Sequence, residues 1–150
     1  MKVRHSEVVV DAAKLVDELA RALAARPEIC EAYVFGSQAR GDAQPHSDVD
    51  VAVYIDPTTP LDEGFGIDCA IAADLMKALG TNDIDVVLLN RAGPLLYHRV
   101  LRDGIRVLAH DLAATTRREG MALSRYCDYL PQLDKIQAAE RFAQGERADR

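Results

Sequence analysis

Val8, Ala12, Leu15, Val16, Leu19, Ala22 and Leu23 recur at steps of three and four, which predicts an amphipathic helix over residues 6–25. Ser6 is placed to cap its start, and Pro27 lies just beyond its end. Residues 31–35 read as a short strand. The stretch 38–47, with Gly41, Asp42, Pro45 and Ser47, is expected to continue a helical turn over 37–40 and to finish as a loop. Residues 48–55 then alternate: Asp48, Asp50, Ala52 and Tyr54 face one way, and Val49, Val51, Val53 and Ile55 the other. A turn at 56–60 leads to a second helix over 62–79, closed by Gly80, and then to the most apolar strand, 83–89. Pro94 and Gly104 bracket a third helix, and 105–109 form a short edge strand. The pattern over 111–130 is helical but less regular, with Pro131 interrupting it. The polar tail 138–150 is expected to fray, leaving one domain over 1–137.

This order of elements predicts an α/β (α+β) domain, a small mixed sheet flanked by helices. A length of 150 residues and 49% apolar content suit a single packed domain. With no Trp and only 5% aromatics, the core must be built from Val, Leu, Ile and Ala. The net charge of −6, with no basic run longer than Arg117-Arg118, argues against direct nucleic-acid binding. Cys30, Cys69 and Cys127 are odd in number and lack a CxxC spacing, so reduced thiols are expected. The N-terminus has no apolar signal region, and no apolar run approaches the length of a membrane span. The expectation is a soluble, cytoplasmic protein with no membrane partner.

The chemistry concentrates between two apolar runs. Gly36-Ser37 is followed by ten residues and then by Asp48-Val49-Asp50. A Gly-Ser turn lets backbone and hydroxyl approach a phosphate, because glycine has no Cβ to obstruct it. Asp48 and Asp50, at i and i+2 of a strand, share a face and can serve one metal site. Asp85 lies inside the most apolar strand, where a carboxylate is costly to bury unless it pairs or binds metal; it is the candidate third ligand and general base. Arg40 is either a fixed cation for a phosphate or a solvated side chain beside Asp42. His46 reads as a solvated loop residue and His98 as a structural one. No serine, cysteine or histidine arrangement marks a covalent nucleophile, and neither GxxxxGK[ST] nor GxGxxG is present. A phosphate loop facing paired carboxylates moves phosphoryl or nucleotidyl groups.

The run Val34-Phe35-Gly36-Ser37-Gln38-Ala39-Arg40-Gly41, continuing to Ser47-Asp48-Val49-Asp50, resembles the DNA polymerase β-like nucleotidyltransferase superfamily. Within it the chain is most similar to the minimal nucleotidyltransferase (MNT) antitoxins that accompany HEPN-domain toxins. The stretch 94–108 resembles the helix and strand that follow their catalytic sheet. The resemblance implies transfer of AMP from ATP, with Mg²⁺, to a tyrosine hydroxyl of a partner HEPN-type ribonuclease toxin, which is thereby silenced. Gly36 and Ser37 would hold the triphosphate. Asp48 and Asp50 would bind two Mg²⁺ ions, and Asp85 would bind the catalytic one and activate the attacking hydroxyl. Two other readings stay open: a toxin-binding module without catalysis, and a nucleotidyltransferase for a small molecule such as an aminoglycoside. Self-association is left open as well.

Overall fold

The structure, a computed structural model, describes residues 3–41, 48–60 and 66–148. The chain runs α1 (Val3–Ala24), β1 (Ile29–Phe35), α2 (Ser37–Arg40), β2 (Val49–Ile55), α3 (Ile67–Leu79), β3 (Ile84–Leu88), a 3-10 turn at Leu89–Arg91, α4 (Pro94–Asp103), β4 (Ile105–Ala109) and α5 (Leu112–Ala148). The four strands form one mixed sheet in the order β3-β2-β1-β4. β1 is antiparallel to β2 and β4, whereas β2 and β3 are parallel.

The alternation of β2 determines which helices cover which face. Val49, Val51, Val53 and Ile55 pack with Leu19 and Leu23 of α1 and with Ile71 and Leu75 of α3 in one apolar layer. Ala52 and Tyr54 point the other way and pack with Tyr33, Tyr97, Val100 and Ala122 beneath α4 and α5. The β-branched residues of β2 suit a strand that is covered on both faces along most of its length.

A polar clamp fastens α5 to the sheet. Glu31 is fully buried, and both its carboxylate oxygens accept from Arg118, Nε to Oε1 and Nη2 to Oε2, each at 2.6 Å. The Thr115 hydroxyl donates to Glu31 Oε2 at 2.9 Å, and the Arg118 guanidinium lies 4.6 Å above the Tyr54 ring. Next to it, the Tyr33 hydroxyl donates to Glu119 Oε1 at 2.7 Å, and Arg106 pairs with the same oxygen at 3.0 Å. The Glu31 hydrogen bonds hold the Arg118 pKa above its ordinary value. Burial pushes Tyr97 up to about 12 and raises Tyr33 further.

Several boundaries differ from the sequence pattern. α1 begins at Val3, so Ser6 lies inside the helix and does not cap it. α3 begins at Ile67 behind Gly66, and residues 61–65 of the expected helix lie outside the described residues. α5 passes through Pro131 and across 137/138 as one helix to Ala148. A proline there removes one hydrogen bond, to the carbonyl of Cys127 four residues back, and Cys127 is exposed enough for water to replace it. Good helix formers such as Lys135, Gln137, Ala138, Ala139 and Glu140 then carry the helix on. The three cysteines are free thiols, as expected. Among the described residues, no helix is long and apolar enough to cross a membrane.

Candidate active site

The site forms where β1 ends and β2 and β3 begin. β1 stops at Phe35, and Gly36 turns the chain with φ 72° and ψ −151°, a conformation essentially restricted to glycine. A Cβ at Gly36 would overlap Oδ2 of Asp50. The turn therefore needs glycine twice, for its backbone and for the passage of that backbone across the carboxylate. Ser37 opens the single turn α2, and Gly41 closes it with φ 77°, its N–H donating to the Ser37 carbonyl. Arg40 ends α2, one turn from Ser37; its side chain, like residues 42–47 with His46 and Ser47, lies outside the described residues.

Strand register brings the carboxylates together. Phe35 pairs with Asp50 across the antiparallel β1–β2 ladder, and Asp50 pairs with Asp85 across the parallel β2–β3 ladder. In-register neighbours on adjacent strands are about 4.8 Å apart, with side chains on one face. Asp50 alternates with Val49 and Val51, and Asp85 with Ile84 and Val86, all four on the α1–α3 face. Asp50 and Asp85 therefore share the opposite face. Val49 N–H donates to the Asp83 carbonyl at 2.8 Å, which fixes this end of the pairing. Asp48 lies one residue outside β2, exposed, and two residues from Asp50.

Asp85 is exposed, which corrects the physical reason for choosing it. Val87 shares its face and is half-buried, but the strand opens to solvent at Asp85, so no buried charge needs a partner. What distinguishes it is its register with Asp50. Among the described residues, no three His, Cys, Asp or Glu side chains converge closely enough to hold a metal by themselves. Two adjacent carboxylates still suit Mg²⁺, which binds through one or two of them and completes its shell with substrate phosphates and water.

Asn90 was not singled out from the sequence. Its side-chain oxygen accepts from Ile55 N–H at 2.9 Å, and its Nδ2 donates to the Ile55 carbonyl at 2.8 Å. This clip ties the 3-10 turn after β3 to the far end of β2 and so supports the register that aligns Asp50 with Asp85. A lone Asn after an apolar strand gives no sequence signal of such a role. His98 stacks on Tyr126, with centroids 3.6 Å apart and planes within 2°, consistent with a structural residue.

Residues 17–113 match the family described as Polymerase beta, Nucleotidyltransferase. No curated protein matches the sequence. Among solved structures, the chain is similar to a toxin–antitoxin with AMP-PNP (TM-score 0.60, 20% identity, 87% of this chain and 96% of that chain covered). It is also similar to a complex of a tri-AMPylated Shewanella oneidensis HEPN toxin with an MNT antitoxin (TM-score 0.61, 21% identity, 84% and 98% covered). A toxin–antitoxin MntA-HepT structure is a third (TM-score 0.56, 19% identity, 89% and 97% covered). Likeness at this identity establishes the fold. With the family match spanning well over half of its length, the chain belongs to the polymerase beta nucleotidyltransferase family.

Proposed function

We propose that this nucleotidyltransferase is an MNT-type antitoxin that transfers AMP from ATP to a tyrosine hydroxyl of a partner HEPN-type ribonuclease toxin in the cytoplasm. The observation that carries the reading is the in-register Asp50–Asp85 pair with the Gly36 turn drawn across it. Support comes from the neighbouring folds, one with AMP-PNP and one beside a tri-AMPylated HEPN toxin.

In this reading the Gly36 backbone and the Ser37 hydroxyl hold the triphosphate, and Arg40 adds a fixed positive charge. Asp50 and Asp85, with Asp48 two residues before Asp50, would hold Mg²⁺ together with the substrate phosphates, two ions in the full complex. Mg²⁺ there would neutralise the phosphates and make the acceptor hydroxyl more acidic. A tyrosine hydroxyl has an ordinary pKa of about 10, so it needs a base at neutral pH. The Asp85 carboxylate takes that proton while the phenolic oxygen forms a bond to the α-phosphorus. The bond from that phosphorus to the bridging oxygen breaks, and pyrophosphate leaves with the electron pair. The exposure of Asp85 supports a macromolecular acceptor, which brings its own surface to an open rim.

The nucleotide step is tested by calorimetry. Carboxylates facing a triphosphate repel it until a divalent cation intervenes, so ATP is expected to bind with Mg²⁺ and far more weakly in EDTA. Equal affinity in the two conditions would overturn the assignment of these carboxylates.

A further inference from the structure

Helix α4 starts behind the 3-10 turn that follows β3 and stops at Gly104, so it runs towards the end of the sheet that carries Asp50 and Asp85. A Cβ at Gly104 would press on the Val34 carbonyl, on the strand that leads into Gly36. Tyr97 and Val100 of α4 pack down on Tyr33 and Ala52. One flank of α4 meets α5: His98 stacks on Tyr126, and Leu101 lines a space with Gly120 and Leu123. α5 in turn sits over β1 and β4, where Glu119 binds Tyr33 and Arg106. Successive helix positions turn by about 100°, so Leu96, Arg99 and Asp103 occupy the flank away from α5 and look out over β2 and β3. The floor below that flank is open, since Asp85 is exposed and Val87 half-buried on the carboxylate face.

We infer that Arg99 is a phosphate-binding residue of the nucleotide site. It is exposed, and among the described residues no hydrogen bond or ion pair engages it. Asp103, the acid on the same flank, is held by the Arg102 guanidinium, Nε to Oδ1 and Nη2 to Oδ2, each at 2.9 Å. Arg106 and Arg118 are committed to Glu119 and Glu31. Of the two arginines of α4, Arg99 is thus the uncommitted one, and it stands on the side of the carboxylates. It precedes Gly104 by about 7.5 Å along the helix, a span that an extended arginine side chain covers. Asp50 and Asp85 give the floor negative charge alone, so a triphosphate bound there gains from a fixed cation on the wall. A guanidinium can serve two phosphate oxygens at once, where an ammonium offers a point charge. The inference deepens the reading of this groove as a nucleotide site and rests on it.

The test is calorimetric titration of the full chain with ATP–Mg²⁺. Arg99→Gln is expected to weaken ATP–Mg²⁺ binding about tenfold or more, and Arg99→Lys to recover part of the loss. Arg117→Gln removes the same charge from an exposed position on α5 and is expected to stay within about twofold of the unaltered chain. Arg99 is exposed and unpaired, so thermal unfolding should find the variants as stable as the unaltered chain. ATP–Mg²⁺ affinity unchanged in Arg99→Gln overturns the inference and leaves the nucleotide site in place. Equal losses in Arg99→Gln and Arg117→Gln also overturn it, because net charge alone would then account for the effect. Unchanged ATP–Mg²⁺ affinity with weaker binding of the HEPN-type protein from the same genome overturns it and assigns Arg99 to the acceptor. No ATP–Mg²⁺ binding by the unaltered chain overturns both the inference and the nucleotide site on which it rests.

Discussion

Gly36→Ala is expected to abolish nucleotidyl transfer and to lower stability by about 1–3 kcal/mol, the cost of holding a non-glycine residue in this backbone region. The two effects have separate origins. The backbone at φ 72° and ψ −151° penalises any L side chain. Independently, the new Cβ would overlap Asp50 Oδ2, so the turn and the carboxylate must separate. That displacement moves Asp50 out of line with Asp85 and withdraws the turn from where a phosphate would sit. A misplacement of about 1 Å can cost a hundredfold in rate. Asp50→Asn is the comparison, since it keeps the volume and the turn while removing the charge. It is expected to stay as stable as the unaltered chain and to lose Mg²⁺-dependent ATP binding. If Gly36→Ala bound ATP–Mg²⁺ with unaltered affinity in calorimetry, the turn would have no part in the site.

The largest stability effect is expected from Arg118→Met. An exposed ion pair is worth about 0–1 kcal/mol. Glu31 is fully buried, however, and removal of its guanidinium partner leaves a carboxylate with only the Thr115 hydroxyl. Breaking a buried pair from one side costs about 3–5 kcal/mol, which lowers Tm by roughly 10 °C in a chain of this size. Methionine also loses the guanidinium stacked over Tyr54, worth about 1 kcal/mol, so the larger part of the loss reports the unpaired carboxylate. Glu31→Met with Arg118→Met should recover most of it, because no buried charge then remains unpaired. Denaturant unfolding of the single and the double variant decides the matter. A single Arg118→Met within about 1 kcal/mol of the unaltered chain would show that water reaches Glu31 and that the clamp is a surface pair.

The elements whose pattern has a fixed period were legible in the sequence. Residues of β2 alternate because one of its faces meets α1 and α3 and the other meets α4 and α5, and Pro94 and Gly104 bracket α4 as expected. The long-range geometry was not legible. The Glu31–Arg118 clamp joins residues 87 positions apart, and nothing near either one announces the other. Asp85 was singled out as a buried charge in an apolar strand, yet it is exposed and owes its place to the parallel register with Asp50. Pro131 marked a break by its own chemistry, but the helix formers on both sides outweigh one lost hydrogen bond. The Gly36-Ser37 and Asp48-Val49-Asp50 spacing was readable because it sits at two strand ends, where alternation already fixed the faces.

The most direct measurement is intact-mass spectrometry of the HEPN-type partner after incubation with the chain, ATP and Mg²⁺. The partner is expected to gain one or more AMP masses, and Asp85→Asn, folded to the same Tm, to add none. A partner that is fully inhibited while its mass is unchanged would exclude AMP transfer as the means of inhibition and make the chain a binding module.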